Sequence, residues 1–175
     1  TILDNEKVNL VYIASNHHSH SEYAIRCLKK GKDVYSEKPL VVSWSQFDSL
    51  FEEIYKSNSK FYAGYNRPFS KAIRTVRNQF KGYKQNLPIF TLSFFINGHK
   101  IPESHWYRNA KEGTRVCGNI GHWIDLSIHI LNWRSQLPNS LDLNITFSNV
   151  DEPDDNLAIT IISDLGDLIN IIITS

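Results

Sequence analysis

The regular alternation of strand and helix patterns near the start of the chain constrains the fold more than any other feature. Lys7 to Ser15 holds a short apolar run bounded by polar residues, which predicts a parallel strand covered on both faces. Further strands are predicted from Val34 and from Lys60 to Tyr65, and an amphipathic helix precedes each of them. The order βαβαβ predicts right-handed crossovers and a parallel, doubly wound sheet.

Two serine motifs predict where these helices begin. Ser19-x-x-Glu22 and Ser43-x-x-Gln46 have the form of a capping box, in which the serine oxygen accepts a bond from the backbone of the first turn. We therefore expect both serines to be N-caps. Gly31 lies where the C-terminus of the first helix favours glycine.

The pattern changes after Pro68, where strands no longer alternate with helices. We therefore predict an α/β chain in two parts: residues 1–65 form the C-terminal half of a Rossmann-like parallel domain, and residues 66–175 form an α+β domain with a largely antiparallel sheet. In the second part, the patterns predict a helix near 70–80, a strand near 88–97, an apolar helix from about 119 to 133, and antiparallel strands near 143–150, 156–163 and 168–174.

Composition excludes several classes of protein. The 19 basic and 18 acidic residues give a formal net charge of +1 without a basic stripe, so nucleic acid is not an expected partner. No uninterrupted apolar run approaches the roughly 20 residues that span a bilayer, so a membrane is not an expected partner either. Cys27 and Cys117 form no CxxC pair, which favours a reducing cytoplasm. The first residues do not form a signal peptide. Because the chain begins at Thr1 and contains no methionine, we expect it to be truncated at this end.

Glu37-Lys38-Pro39 is the most informative local motif. It ends the second predicted strand, because proline has no N–H for the sheet, and open α/β sheets bind ligands at the C-terminal ends of their strands. A lysine here can reach a ribose or a substrate hydroxyl, and the bond before proline can fix its direction, sometimes in the cis form. The alternative is an ordinary turn that ends a strand and leaves the lysine in solvent.

A second polar segment, Ser15 to His20, follows the first strand and leads into a helix. Its small side chains and unpaired backbone N–H groups suit the ribose or phosphate of a cofactor. Its three histidines also raise the alternative of a metal site, but no carboxylate lies at ligand spacing.

A glycine-rich stretch from Gly113 to Asp125 places His122 in the first turn of the apolar helix. A histidine, with a reference pKa of about 6.5, can exchange a proton near neutral pH, which indicates a general acid or base. The alternatives are a capping or core histidine, or a metal site of His122, Asp125 and His129, which share one helical face. The apolar surroundings favour core over metal.

These motifs, in this order, resemble the glucose-fructose oxidoreductase, inositol dehydrogenase and MocA (Gfo/Idh/MocA) family. The resemblance extends from Ile13 to Asp125, and the later strands agree with the family only in their general pattern. The matching stretches are Ile13 to Asn16, His20 with Glu22 to Ala24, Gly31-Lys32, Glu37 to Pro39, Gly64 to Ser70, His105-Trp106 and Gly118 to Asp125.

The resemblance implies a dehydrogenase that moves hydride between NAD or NADP and a hydroxyl or carbonyl carbon of a sugar, a nucleotide-linked sugar or a cyclitol. It also implies a homo-oligomer formed through the open face of the second sheet, and it implies no metal. It assigns catalysis to Lys38 and His122, cofactor binding to Ser15, Asn16, His20, Glu37, Lys38, Pro39 and Arg67, and substrate binding to Lys38, Trp106, Arg115, Asn119 and His122.

Two departures from the family matter. Family members commonly carry an acidic residue three or four positions before the active-site histidine, where this chain has Asn119 and Gly118, so altered chemistry is an alternative. The family's first strand and GxGxxG loop are not present, and its last strands are also missing, so we expect a fragment. Two rivals to the dehydrogenase are a non-catalytic sugar-binding or oligomerisation module and a metal-dependent hydrolase.

The 175-residue chain by itself should have negligible affinity for NAD or NADP. The phosphate of a dinucleotide is normally held at the N-terminus of the first helix, after GxGxxG, and Lys38 cannot replace that cradle. Isothermal titration calorimetry on this chain measures the affinity. Micromolar binding of either coenzyme would show that the cofactor site is misplaced.

Overall fold

The computed structural model describes residues 2–80, 88–134, 136–148 and 154–174, and the beginning of the chain forms the predicted βαβαβ arrangement. The three strands are parallel and adjacent in the order β1-β2-β3. The predicted third strand is shorter than expected, because only its centre pairs with β2. The elements are β1 (Leu10–Ile13), α1 (His20–Lys29), β2 (Asp33–Ser36), α2 (Trp44–Lys56) and β3 (Phe61–Ala63).

Only one face of this sheet is covered by helices. Ile13 and Val34 are buried in a core with Leu28 of α1 and other side chains of the two helices. Tyr12 remains 60% exposed, so the expectation of a strand covered on both faces is wrong. The reason is topological: two right-handed crossovers between strands added in the same direction place α1 and α2 on the same side.

The two capping predictions have different outcomes. Ser43 is the N-cap of α2, and its hydroxyl accepts a bond from the backbone N–H of Gln46. Ser19 makes no such bond, because its hydroxyl instead donates to the backbone carbonyl of Asn16. A short 3₁₀ helix (His17–Ser19) leads directly into α1, so Ser19 already has helical backbone angles and cannot turn its side chain to the helix end.

The second sheet has the order β4-β7-β6-β5. Its last three strands are antiparallel as predicted, and β4 joins them in parallel to β7, so the sheet is largely antiparallel. The predicted end of the β5 strand, near residue 150, lies outside the described residues. The elements are α3 (Lys71–Phe80), β4 (Thr91–Asn97), α4 (Gly121–Leu131), β5 (Leu141–Phe147), β6 (Leu157–Ser163) and β7 (Leu168–Thr174).

The two faces of the second sheet differ in exposure. Alternate residues of β6 and β7, such as Ile159 and Ile171, are buried. The opposite face is open, and Phe95 on β4 is 79% exposed there. None of the helices in the described part of the chain is long and apolar enough to cross a membrane.

The chain divides into two compact units, and one segment from the second half of the sequence belongs to the first unit. The first unit is Thr1–Tyr65 with Glu103–Gly118, and the second is Asn66–Pro102 with Asn119–Ser175. We call Glu103–Gly118 the return segment. The functional division into a cofactor domain and a substrate domain stays a prediction.

A π-helix (Val116–Ile120) leads from the return segment into α4. The sequence pattern predicted a helix from about Asn119, and the helical backbone therefore begins earlier than expected. As a consequence, the unpaired N–H groups of a helix start do not lie at His122.

A buried ion pair fixes the second unit. Both guanidinium ends of Arg134 bond the Asp167 carboxylate, at 2.7 and 2.6 Å, and neither side chain is more than 1% exposed. The Ser163 hydroxyl and the Phe90 N–H also donate to this carboxylate. Although burial raises the pKa of Asp167, these bonds outweigh it and lower the pKa to about 2.

Asp167→Ala should destabilise the second unit by about 3–5 kcal/mol, because it leaves the Arg134 charge buried without its counter-ion. Chemical unfolding of the full-length protein, followed by tryptophan fluorescence, measures the change. Asp142→Ala is the matched control, since Asp142 is an exposed carboxylate on β5.

Acid titration provides a second measurement of the same ion pair. A carboxyl whose folded pKa is depressed stabilises the fold at pH above its ordinary pKa, near 3.8, and that stability is lost as the pH falls towards about 2. The Asp167→Ala protein should lack this loss. Equal unfolding free energies for the Asp167 and Asp142 variants would contradict the role of the ion pair.

Candidate active site

The loops after β1 and β2 leave the first sheet at one edge. The parallel register places Ile13 opposite Ser36, so the segments that begin at Ser15 and Glu37 emerge side by side. The sequence assigned cofactor-binding residues to both loops. The structure thus brings Ser15, Asn16, Glu37, Lys38 and Pro39 to the same end of the sheet.

The side chain of His20 contacts the backbone of both loops. It is 1% exposed, and its ring nitrogens lie 2.7 Å from the carbonyl oxygen of Pro39 and 2.8 Å from that of Ser15. The Lys38–Pro39 peptide bond, in the loop after β2, is cis. His20, predicted to line the cofactor, therefore also fixes the backbone on which neighbouring predicted site residues lie.

Lys38 and Glu37 are both held by hydrogen bonds. The Lys38 ammonium donates to the carbonyl oxygen of Gly118, in the return segment, at 2.8 Å. The Tyr12 hydroxyl donates to Glu37 Oε1 at 2.6 Å, and this bond raises the pKa of Tyr12 to about 12. The motif is therefore more than a strand-ending turn with a lysine in solvent, because the Lys38 side chain is directed to a specific acceptor.

Glu112 is a site residue that sequence reasoning missed. It is 4% exposed, and its carboxylate bonds the His18 backbone N–H at 3.0 Å and His18 Nδ1 at 2.6 Å. Burial raises the pKa of a carboxyl, but the bonds from His18 and from the Asn16 side chain outweigh burial, and the pKa of Glu112 lies below its ordinary value. The only local signal is its place directly before the glycine-rich stretch.

Aromatic side chains of the return segment pack on the loop after β1. The His17 ring makes edge contacts with Trp106 and Tyr107, at centroid distances of 4.9 and 5.1 Å. Burial lowers the pKa of His17, although its bond to the Glu112 carbonyl oxygen acts in the opposite direction. Burial also raises the pKa of Tyr107 to about 12. Trp106, a predicted substrate residue, remains 43% exposed, and this leaves part of its ring for a ligand.

Gly118 is packed too tightly for any side chain. A Cβ atom there would overlap the hydroxyl and ring of Tyr107. Close by in sequence, Arg115, a predicted substrate residue, is only 1% exposed. The return segment is thus closely packed around the carbonyl that accepts the Lys38 bond.

The remaining predicted site residues lie in the second unit. The Arg67 guanidinium carbon lies 4.2 Å from the centre of the Trp123 ring, a cation–π geometry, and burial lowers the pKa of Arg67. Asn119 lies in the π-helix and His122 in the first turn of α4, both half-buried. Their roles stay predictions.

The metal alternative gains no support. Within the residues that the structure describes, no group of three His, Cys, Asp or Glu side chains could hold a metal ion. Burial raises the pKa of Asp125 and lowers that of His129.

The polar groups at the edge of the first sheet fit a nicotinamide coenzyme. They comprise an ammonium (Lys38), a carboxamide (Asn16) and hydroxyls (Ser15 and Ser19, whose oxygens lie 2.7 Å apart). Such uncharged and cationic groups suit the hydroxyls of a ribose.

Residues 1–65 match the family model described as an oxidoreductase family with an NAD-binding Rossmann fold, the Gfo/Idh/MocA family. Over these residues the chain is similar to the Gfo/Idh/MocA family, and the match covers the first 65 of its 175 residues. It is 38% identical over 66 residues to an oxidoreductase of Formosa agariphila, an alignment that covers 38% of this chain and 21% of that protein. It is also 30% identical over 76 residues to myo-inositol 2-dehydrogenase of Thermotoga maritima, covering 43% of this chain and 23% of the relative.

The likeness to solved structures extends over nearly the whole chain. A crystal structure of an NAD-binding protein from Listeria innocua superposes with a TM-score of 0.76 at 26% identity, covering 99% of this chain and 51% of that one. This chain therefore spans about half the length of that protein. Both parts of the predicted fold class, the parallel half and the largely antiparallel α+β part, are confirmed.

Gly118→Ala should destabilise the first unit by about 1–3 kcal/mol, because the added methyl group displaces Tyr107 from a packed position. The same substitution in a Tyr107→Ala background should cost much less. Thermal unfolding of the four proteins of this cycle measures the coupling. Additive effects of the two substitutions would contradict the close packing of Gly118 and Tyr107.

Proposed function

We propose that the chain is part of an NAD(P)-dependent dehydrogenase that oxidises a hydroxyl, or reduces a carbonyl, of a sugar, a nucleotide-linked sugar or a cyclitol. The family match supports the nicotinamide coenzyme, and the similarity to a myo-inositol 2-dehydrogenase supports the polyhydroxylated substrate. The observation that carries the proposal is the direction of Lys38: its ammonium is held at the C-terminal edge of the parallel sheet, among groups suited to a ribose.

The residues divide by proposed role. The first loops hold the coenzyme, through Ser15, Asn16, His20, Glu37, Lys38 and Pro39, together with Arg67. The substrate contacts Lys38, Trp106, Arg115, Asn119 and His122.

The proposed mechanism uses two side chains. The coenzyme, when bound, supplies the hydride acceptor or donor. In the oxidation direction, the neutral imidazole of His122 takes the proton of the substrate hydroxyl, so that the oxygen retains its electrons and forms the carbonyl as the C–H electron pair leaves as hydride. Lys38 exchanges its Gly118 acceptor for a substrate hydroxyl, to which it donates a hydrogen bond that orients the substrate.

A homo-oligomer is part of the proposal. The open face of the second sheet exposes large apolar side chains, including Phe95 and Ile162, in a pattern suited to a second copy of the chain. Cys27 and Cys117 form no disulfide within the described residues, which agrees with the proposed reducing cytoplasm.

In the complete protein, of which this chain is proposed to be part, Lys38→Ala and His122→Asn should each lower kcat by about a hundredfold, because each removes a positioned catalytic group. The wild-type rate of oxidation should rise with pH as the imidazole of His122 loses its proton, and His122→Asn should abolish that rise. Steady-state kinetics with NAD and NADP and a panel of inositols and sugars measures both effects.

Lys111→Ala is the matched control, since Lys111 is an exposed lysine of the return segment. It should retain wild-type kinetics. If Lys38→Ala behaved like this control, Glu37-Lys38-Pro39 would be only a turn. Unchanged turnover and pH dependence in His122→Asn would move the proton transfer to another group.

A further inference from the structure

The carboxylate of Glu112 is buried, and removing an ionised group from water costs free energy. Its side chain is only 5% exposed, and a carboxylate removed from water needs several good hydrogen bonds to remain ionised. A residue with a purely local role in its short helix (Ala110–Glu112) would point to solvent, as helix-end acids normally do. The direction of this side chain therefore requires an explanation beyond its own segment.

The bonds of Glu112 converge on one loop. Its two carboxylate oxygens accept from the backbone N–H and the ring Nδ1 of His18, and its backbone carbonyl oxygen accepts from His17 Nδ1 at 2.9 Å. Two successive residues of the loop after β1, His17 and His18, are thus tied to a single residue that is more than ninety positions away in sequence.

We propose that Glu112 is a positioning residue for coenzyme binding, which bonds His17 and His18 and so holds in place the loop after β1 that is proposed to contact the coenzyme. This inference rests on the proposed function, since it assigns the loop to the coenzyme. Glu112 itself does not touch the coenzyme. Its effect is on affinity, and the chemical step retains Lys38 and His122.

Glu112→Gln in the complete protein, of which this chain is proposed to be part, tests the proposal. The amide has nearly the same volume, but its amino group must face one of the donors that now meet the carboxylate. The Kd for NADH or NADPH, measured by fluorescence titration, should rise about tenfold, as expected when a charge-assisted hydrogen bond is lost. The KM for coenzyme should rise with it, while kcat at saturating coenzyme changes much less. The His18 amide should exchange its hydrogen faster with solvent, by NMR or mass spectrometry.

Glu103→Gln is the matched control, because it removes the same charge from an exposed position in the same segment. It should change neither affinity nor exchange. His18→Ala removes the ring that bonds Glu112 Oε1, so it should also weaken coenzyme binding, and the double variant should be weakened by less than the product of the two factors. If Glu112→Gln does not fold, His18→Ala alone decides, and unchanged affinity there overturns the proposal.

The two hypotheses fail in different ways. If the complete wild-type protein, of which this chain is proposed to be part, binds neither coenzyme, the proposed function is contradicted. A wild-type protein that binds one of them, with Glu112→Gln and Glu103→Gln indistinguishable, contradicts only the role of Glu112.

Discussion

The parallel pairing of β1 with β2 determines where the polar residues of the candidate site can lie. Because the two strands end at the same level, their following loops leave the sheet side by side, and the side chain of His20 can bond a carbonyl oxygen in each. A slip of one position would move every side chain of the strand to the other face and separate these acceptors. The site therefore depends first on backbone register and only then on the chemistry of individual residues.

The return segment supplies the partners that these loops lack. Loops at the end of a sheet contain backbone and side-chain donors that need acceptors once water is removed. The carbonyl oxygen of Gly118 meets Lys38, and Glu112 meets His18. Because buried polar bonds of this kind support each other, the loss of one leaves the others partly unsatisfied. The segment is in this sense part of the first unit, although it is far from the first strands in sequence.

Local sequence patterns predicted the elements well and their environment less well. The strands of the first sheet, the cap at Ser43 and the antiparallel strands β5 to β7 follow from periodicity and turn residues. The open face beside Tyr12 was not foreseen, because a short apolar run does not reveal on which side its neighbouring helices pack. The hydrogen bond of Ser19 was not foreseen either, since its hydroxyl bonds the loop before it and not the helix after it.

The candidate site was predictable only where its residues share a short motif. Lys38 and His122 stand in recognisable stretches, and their catalytic roles stay predictions. Glu112 could not be found in this way, since a glutamate between a lysine and a glycine is typical of a solvated turn. Its importance comes from contacts with His18, 94 positions away, and such long-range pairing leaves no mark on local composition.

The π-helix before α4 has a geometric consequence for His122. A π turn closes its hydrogen bond over five residues where an α turn uses four, so it holds one more residue in about the same length of axis. That extra residue turns everything after it by roughly 100° around the helix. Removing a single residue between Gly118 and His122 would therefore restore a regular α-helix and, at the same time, point the imidazole in a different direction. The π-helix thus determines the direction in which the side chains of α4 point. A one-residue insertion or deletion there can change this direction without altering the fold.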